Sequence, residues 1–205
     1  MCGRYLFDPD TGELNEYYKM AFQIKQDDLK IGEIPPSEEV ITLGLGEDHK
    51  LRVALTTWGF SNHQNKQLLI NARSETLEEK PTFRNEFSFH RCLFPMSGFY
   101  EWNKAKDQLL FTLPEKEVMY VAGLYRVKDG RIESVILTTA PNATVEPIHN
   151  RMPLIIAKKD ARSWLENTKA ARKLLHKVDE TPLIITPVPK KEQTNPQNQM
   201  ELELE

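Results

Sequence analysis

The second residue of the chain is a cysteine, and this position gives it a chemistry that no other residue type offers. Once Met1 is removed, Cys2 carries a free α-amine and a thiol, whose ordinary pKa values are about 7.7–8.0 and about 8.5. The amine can condense with an aldehyde to a Schiff base, and the thiol can then close a five-membered thiazolidine ring on the imine carbon. Two alternatives remain open: the thiolate attacks an acyl carbon, or Cys2 is a small apolar residue of a first strand.

A second segment, Asn71-Ala72-Arg73-Ser74-Glu75, follows a short apolar run and brings four polar groups together. Asn71 can orient an amine or a carbonyl, and Arg73 can bind a phosphate through two parallel hydrogen bonds. The alternative is the start of a helix, where Ser74 and Glu75 would satisfy free backbone N–H groups.

Two further residues are suited to moving protons. Glu101 lies between two large aromatic residues in an apolar strand, where partial desolvation would raise its pKa and let it give and take protons near neutral pH. His149 can act as an acid or a base, and it precedes Arg151, a second candidate phosphate ligand, in a segment with a proline on each side. The alternatives are an exposed strand glutamate and a structural histidine.

Trp58 is followed by a glycine at the predicted end of a strand. An aromatic ring in such a place can stack on an unpaired base. It can equally belong to the core, and the sequence alone leaves both interpretations open.

Composition restricts the class of protein. The 205 residues are 40% hydrophobic and 28% charged, which is typical of a globular chain with a real core. The net charge of −3 excludes a generally basic nucleic-acid binder, so any such binding must come from a local patch. We expect no membrane span and no secretory signal. Two cysteines, Cys2 and Cys92, indicate a reducing cytoplasm, and the histidine spacing predicts neither a metal site nor a cofactor.

Short strands with a few helices predict an α+β fold that is mostly β, as one domain over residues 1–189. Residues 190–205 are rich in Gln, Asn, Pro and Glu, and we expect a disordered polar tail there. Asp160 and Thr168 are predicted to cap the last two helices. The predicted strands are 2–7, 39–45, 51–58, 109–113, 118–127, 132–139 and 183–188, and the predicted helices are 13–22, 81–89, 161–167 and 169–178.

Taken together, four motifs in this order resemble one known family. They are Cys2-Gly3-Arg4-Tyr5, Asn71-Ala72-Arg73-Ser74-Glu75, Ser97-Gly98-Phe99-Tyr100-Glu101-Trp102 and His149-Asn150-Arg151-Met152-Pro153. The combination is similar to the SOS response-associated peptidases, also called abasic-site processing proteins, and the resemblance spans about residues 1–188.

The resemblance implies a barrel-like sheet core with peripheral helices and a positively charged groove for single-stranded DNA. It implies that Cys2, once N-terminal, attacks the ring-opened aldehyde of an abasic site and forms a thiazolidine crosslink that shields the lesion. By the same resemblance, Asn71 would position the Cys2 amine and the sugar, and Glu101 would shuttle protons. His149 would stabilise the opened sugar and assist strand cleavage.

The remaining implied roles concern the DNA strand. Arg4, Arg73 and Arg151 would hold the flanking phosphates, and Trp58 would stack on or wedge against a base. The implied partner is single-stranded DNA with abasic sites, bound by a cytoplasmic monomer that joins the nucleoid when on DNA. Two other functions stay open: a cysteine peptidase that uses Cys2 to remove its own leader, and a non-covalent reader of single strands.

Overall fold

The described residues form fifteen strands and four α-helices, with the helices lying between strands, which confirms the predicted mostly β, α+β class. The computed structural model describes residues 2–10, 12–26, 29–62, 68–177 and 180–189. The strands are β1 (Tyr5–Phe7), β2 (Gly32–Ile34), β3 (Glu39–Leu45), β4 (Leu51–Trp58), β5 (Phe60–Ser61), β6 (Leu68–Leu69), β7 (Asn71–Arg73), β8 (Arg91–Met96), β9 (Gly98–Trp102), β10 (Gln108–Thr112), β11 (Met119–Lys128), β12 (Arg131–Thr139), β13 (Met152–Pro153), β14 (Ile155–Ile156) and β15 (Ile184–Pro187). The helices are α1 (Glu13–Ile24), α2 (Pro81–Phe89), α3 (Ala161–Glu166) and α4 (Thr168–Leu174), and 3₁₀ turns lie at Ser74–Thr76, Pro114–Lys116 and Lys158–Asp160.

Five strands close into a barrel. β3 pairs with β4 and β8, β8 with β11, and β11 with β12, all antiparallel. A parallel pairing of β12 with β4 closes the ring, so these strands leave few free edges. Apolar side chains such as Leu43, Leu93, Val121 and Ile136 are buried in the core, and their removal from water is the main force that stabilises the barrel.

A second sheet, in the order β15-β10-β9-β1-β2, carries the N-terminus. The chain leaves the barrel after β8 and enters this sheet at Gly98, where a side chain is sterically excluded. A Cβ atom there would lie 2.3 Å from the carbonyl oxygen of Phe111. The β1–β9 pairing continues toward the N-terminus through a hydrogen bond from the Tyr100 N–H to the Arg4 carbonyl at 3.0 Å. The sheet therefore brings Cys2 and Glu101 to the same place.

Some of the predicted strand and helix bounds are confirmed and others are shifted. The spans 39–45, 51–58 and 81–89 are confirmed to the residue, but the first strand begins at Tyr5 rather than at Cys2. The predicted tail at 190–205 lies outside the described residues. None of the helices in the described part of the chain is long and apolar enough to cross a membrane.

Of the two predicted helix caps, the position of Asp160 is confirmed and Thr168 is wrong. Asp160 is the N-cap of α3, but its side chain makes no capping hydrogen bond within the described chain, because a 3₁₀ turn runs into the helix there. For α4 the cap is Asn167, which accepts a hydrogen bond from the Ala170 N–H at 3.0 Å. The Thr168 hydroxyl instead donates to the Ser88 carbonyl at 3.2 Å, so it joins α4 to α2.

Candidate active site

Cys2 is fully buried, with 0% of its surface exposed, where the second sheet meets the strand β7. Its carbonyl accepts a hydrogen bond from Asn71 Nδ2 at 2.9 Å, and its thiol lies 3.6 Å from the Arg4 carbonyl, to which it donates. Asn71 is the first residue of β7, and parallel pairing with Ile136 of β12 fixes its position. Burial raises the pKa of the Cys2 thiol, and the nearby Glu101 carboxylate raises it further. The thiol is therefore neutral at ordinary pH.

Glu101 lies on β9, opposite Leu109 of β10, and only 3% of its surface is exposed. Burial raises the pKa of Glu101, while the electrostatic influence of His149 lowers it, and the net direction is upward. His149 Nδ1 lies 3.8 Å from Glu101 Oε1. A carboxyl group with a raised pKa beside an imidazole can both give and take a proton near neutral pH.

The predicted residues Cys2, Asn71, Glu101 and His149 thus meet at one site. A hydrogen bond joins Cys2 to Asn71, electrostatic coupling joins Cys2 to Glu101, and a short distance joins Glu101 to His149. They come from four separate parts of the chain and from both sheets. The arrangement can hold an N-terminal residue, exchange protons with it, and stabilise charge on an adjacent oxygen.

The loop of His149 is tied to the barrel by Arg151. The Nδ1 atom of His149 lies 2.9 Å from the Arg151 carbonyl oxygen and 3.1 Å from the Arg151 backbone nitrogen, and the tautomer decides which bond forms. The Arg151 guanidinium binds Glu75 through two hydrogen bonds of 2.6 and 2.9 Å, and it donates to the Thr138 carbonyl at 2.6 Å.

The three arginines predicted to bind phosphates lie in different environments. Arg4 Nε pairs with Glu33 Oε1 at 3.1 Å, and Arg151 pairs with Glu75. Arg73 is exposed at the end of β7. A phosphate that binds Arg4 or Arg151 must therefore exchange with a carboxylate of the protein itself.

Trp58, which was predicted to stack on or wedge against a base, lies in the core in this structure. The indole is 0% exposed, and its ring centroid lies 5.4 Å from that of Tyr5 and 6.5 Å from that of Phe94. Its Nε1 donates to the Ile70 carbonyl at 3.0 Å. Because Ile70 precedes Asn71, Trp58 supports the site from within the core.

Sequence reasoning missed the carboxylates that bind the arginines. Glu75 belongs to a motif that the sequence singles out, but its partner Arg151 is 76 positions away. Glu33 lies 29 positions from Arg4, in a strand that no motif marks. Charge complementarity is the only sequence signal for such pairs, and it does not select one partner among 27 Lys and Arg residues.

Polar atoms at the site retain hydrogen-bonding capacity. Among the residues that the structure describes, Asn71 Oδ1, Ser74 Oγ and Arg151 Nε are buried and make no hydrogen bond. Buried polar atoms are normally paired, and exceptions concentrate where a protein acts on a ligand. Over the same described ranges, no group of three or more His, Cys, Asp or Glu side chains is arranged to hold a metal ion.

Comparison with known sequences places this site in a family. A family model described as SOS response associated peptidase (SRAP) matches residues 1–194. The abasic site processing protein YoqW of Bacillus subtilis is 29% identical over 180 residues, which is 80% of each chain. The abasic site processing protein YedK of Escherichia coli is 26% identical over 180 residues, covering 80% of this chain and 79% of that one.

Solved structures share the fold at low identity. A crystal structure of a protein from Bacteroides thetaiotaomicron superposes with a TM-score of 0.76 at 19% identity and covers 92% of each chain. A second, from Bordetella bronchiseptica, gives a TM-score of 0.74 at 18% identity, covering 92% of this chain and 100% of that one.

Proposed function

The chain belongs to the SOS response-associated peptidase family, and from that premise we propose that it captures abasic sites in single-stranded DNA as a covalent adduct of Cys2. The relatives YoqW and YedK carry the name abasic site processing protein, and this chain matches about four fifths of each. The observation that carries the proposal is the convergence of Cys2 with Asn71, Glu101 and His149 at one buried site.

The proposed reaction needs a free α-amine, so it begins after Met1 is removed. An abasic deoxyribose opens to an aldehyde at C1′, and the Cys2 amine adds to that carbon. The carbinolamine loses one water to form an imine. The Cys2 sulfur then bonds to the imine carbon while its proton passes to the nitrogen, which closes the thiazolidine ring. The balance is aldehyde plus aminothiol to thiazolidine plus water, with no oxidant or reductant.

Glu101 is the proposed proton carrier. Its raised pKa leaves more of it protonated at a given pH than an exposed glutamate, which favours protonation of the departing hydroxyl of the carbinolamine. The resulting carboxylate can then accept the thiol proton. This step matters because burial keeps the Cys2 thiol neutral, and a neutral thiol is a poor nucleophile.

The other residues position the partners. Asn71 fixes the Cys2 carbonyl at 2.9 Å and thereby the direction of the neighbouring amine, and its Oδ1 atom is oriented toward no protein donor within the described chain. His149 is placed to stabilise the oxygen released when the sugar opens. We assign the flanking phosphates to Arg73, Arg4 and Arg151, the last two in exchange with Glu33 and Glu75.

The two alternatives find less support. A cysteine peptidase needs a base bonded to its thiol, whereas the Cys2 thiol donates to the Arg4 carbonyl. A non-covalent reader of single strands needs exposed aromatic rings, whereas the ring predicted for that role, Trp58, is buried.

The test is a denaturing gel with three single-stranded oligonucleotides: one abasic, one intact, and one with a tetrahydrofuran residue that has the abasic shape but no aldehyde. Protein whose intact mass shows the loss of Met1 should form a denaturation-resistant band with the abasic strand alone. A band of equal strength with the tetrahydrofuran strand would contradict the aldehyde chemistry. No covalent band, with equal native binding of all three strands, would favour the non-covalent reader.

A further inference from the structure

We propose that Glu75 is a positioning residue of this site, because its carboxylate holds Arg151 at the end of the loop that carries His149. The loop runs from residue 140 to residue 151, between β12 and β13. Its ends are brought together by the antiparallel pairing of Thr139 with Met152. Glu75 lies outside the loop, in the 3₁₀ turn that follows β7.

Glu75 binds the last residue of the loop and lies near the first. The Arg151 guanidinium donates two hydrogen bonds of 2.6 and 2.9 Å to its carboxylate, and the backbone N–H of Ala140 helps to lower the pKa of that carboxyl. Arg151 also donates to the Thr138 carbonyl and hydroxyl at 2.6 and 3.2 Å, so the same guanidinium joins the loop to β12. Glu75 therefore fixes the Arg151 guanidinium at the point where the β12–β13 pairing closes the loop.

The position of Arg151 is transmitted directly to the imidazole. Both the backbone nitrogen and the carbonyl oxygen of Arg151 lie within 3.1 Å of His149 Nδ1. A change in the backbone at Arg151 would therefore turn the ring, and with it the 3.8 Å approach to Glu101. Displacements of about 1 Å at a reacting group can lower a rate by about 100-fold.

The arrangement favours positioning over simple competition with DNA. The Arg151 side chain is only 14% exposed, and both of its terminal nitrogens already donate to Glu75 or Thr138. If Glu75 served only to keep phosphate away from Arg151, its removal would tighten DNA binding and leave the reaction rate on bound DNA unchanged. Removal of a positioning residue lowers the rate on bound DNA, whether or not it also frees Arg151 for a phosphate.

The kinetic experiment rests on the proposed function and compares Glu75→Ala and Glu75→Gln with the matched control Glu79→Gln. Glu79 is exposed four residues along the same segment, so its variant removes the same charge near the same surface. We measure the adduct rate at saturating protein and the protein concentration that gives half that rate. For Glu75→Ala we expect the saturating rate to fall about 10- to 100-fold, and for Glu75→Gln by a smaller factor. Glu79→Gln should stay within about twofold of the parent chain.

A second readout does not depend on any reaction. In the Cys2→Ser background without DNA, NMR titration of the His149 ring reports its surroundings, with His149→Asn used to assign the signal. We expect the His149 resonance and its midpoint to move in Glu75→Ala and Glu75→Gln but not in Glu79→Gln. If the parent chain forms no adduct, the proposed function fails, and this titration still tests the role of Glu75.

Two results would overturn the inference. One is an unchanged saturating rate combined with a lower half-saturating concentration in Glu75→Gln, which would make Glu75 a competitor for phosphate. The other is a His149 titration identical to that of the parent chain in both variants. Thermal melting of each variant confirms that the compared proteins are folded, and Glu75→Gln serves alone should Glu75→Ala unfold.

Discussion

Arg91 and Arg151 use the same side chain differently. Arg91 lies where the helices α2 and α3 end, and Arg151 lies at the candidate active site. Arg91 is 7% exposed and donates to four backbone carbonyls, those of Phe87, Ser88, Trp164 and Leu165, and to the Thr168 hydroxyl. Arg151 binds one carboxylate and one threonine, and its Nε atom makes no hydrogen bond within the described residues.

The carbonyls that Arg91 binds are in the last turns of α2 and α3. Such carbonyls lack partners within their own helices and carry partial negative charge, so a guanidinium there satisfies and stabilises two helix ends at once. Around Arg151, by contrast, Asn71 Oδ1 and Ser74 Oγ are also buried without a hydrogen bond in the described chain. Near the helix ends the described residues leave one buried side-chain atom, His90 Nδ1, without a hydrogen bond, whereas near Arg151 they leave three.

Of the variants considered, those at Cys2 should have the largest effect, which is on covalent adduct formation and not on the stability of the fold. In Cys2→Ala no thiol or thiazolidine is possible, and in Cys2→Ser the ring-closing sulfur is missing. We expect loss of the denaturation-resistant band with the abasic strand in both variants, while urea unfolding changes by no more than about 1 kcal/mol in Cys2→Ser. A stable band in both variants would remove Cys2 from the mechanism.

Glu101→Gln should lower the adduct rate and, near neutral pH, raise the stability of the fold. Loss of a proton carrier typically lowers a rate about 100- to 10,000-fold, and we expect a fall of that order in the adduct rate. Burial raises the pKa of Glu101 in the folded state. Its stabilising contribution is therefore present below the unfolded pKa of about 4.3 and is lost as the pH rises through the folded pKa.

Glutamine has no such loss, so Glu101→Gln should gain stability over the parent chain as the pH rises toward 7. We expect a Tm increase of about 2–4 °C at neutral pH, which corresponds to about 1 kcal/mol for a chain of this size. Differential scanning calorimetry at pH 4 and pH 7 measures it. A gain that is equal at both pH values would contradict the buried-carboxyl account.

Arg91→Leu should lower the stability of the fold and leave the adduct rate of the folded protein unchanged. It removes the guanidinium from four carbonyls, of which that of Ser88 keeps the Thr168 hydroxyl as a donor. We expect a loss of about 3 kcal/mol in the free energy of unfolding, or about 6–12 °C in Tm. The adduct rate per folded molecule should be unchanged at low temperature. Arg131→Leu, at an exposed arginine of β12, is the matched control. An equal loss in both variants would show that the Arg91 network does not stabilise the fold.

The smallest effect is expected for Trp58→Phe, which tests the buried position of the indole. The variant loses the hydrogen bond to the Ile70 carbonyl, worth about 1 kcal/mol of stability. Binding of an intact single strand, measured by fluorescence anisotropy, should not change. A base-stacking residue would lose about 1–3 kcal/mol of binding free energy on losing its ring, so a tenfold weaker Kd in Trp58→Ala with Trp58→Phe unaffected would restore the stacking role.

The sequence was sufficient where short-range patterns decide the structure. The strands at 39–45 and 51–58 and the helix at 81–89 follow from apolar patterns and from Pro81 at a helix start. That Cys2, Asn71, Glu101 and His149 act at one site was implied only by the family resemblance that their motifs carry.

The features that the sequence did not predict depend on contacts between residues far apart in the chain. The parallel contact of β12 with β4, which closes the barrel, joins residues 76 positions apart, as in Glu133 with Thr57. Trp58 lies at that closure, opposite Ser134. Arg151 meets Glu75 because β13 and β7 both pair with β12. A tryptophan beside a glycine is compatible with the surface or the core, and only the packed neighbours Tyr5 and Phe94 decide between them.

The most direct test of the account identifies the bond between protein and DNA. The adduct on an abasic strand is purified under denaturing conditions, the DNA is hydrolysed to its sugar remnant, and the protein is digested with trypsin for tandem mass spectrometry. We predict that the remnant, less one water, is found on the N-terminal peptide Cys2-Gly3-Arg4 with Met1 absent. A remnant on a lysine, or on a peptide that still begins with Met1, would contradict the N-terminal aminothiol as the reacting group.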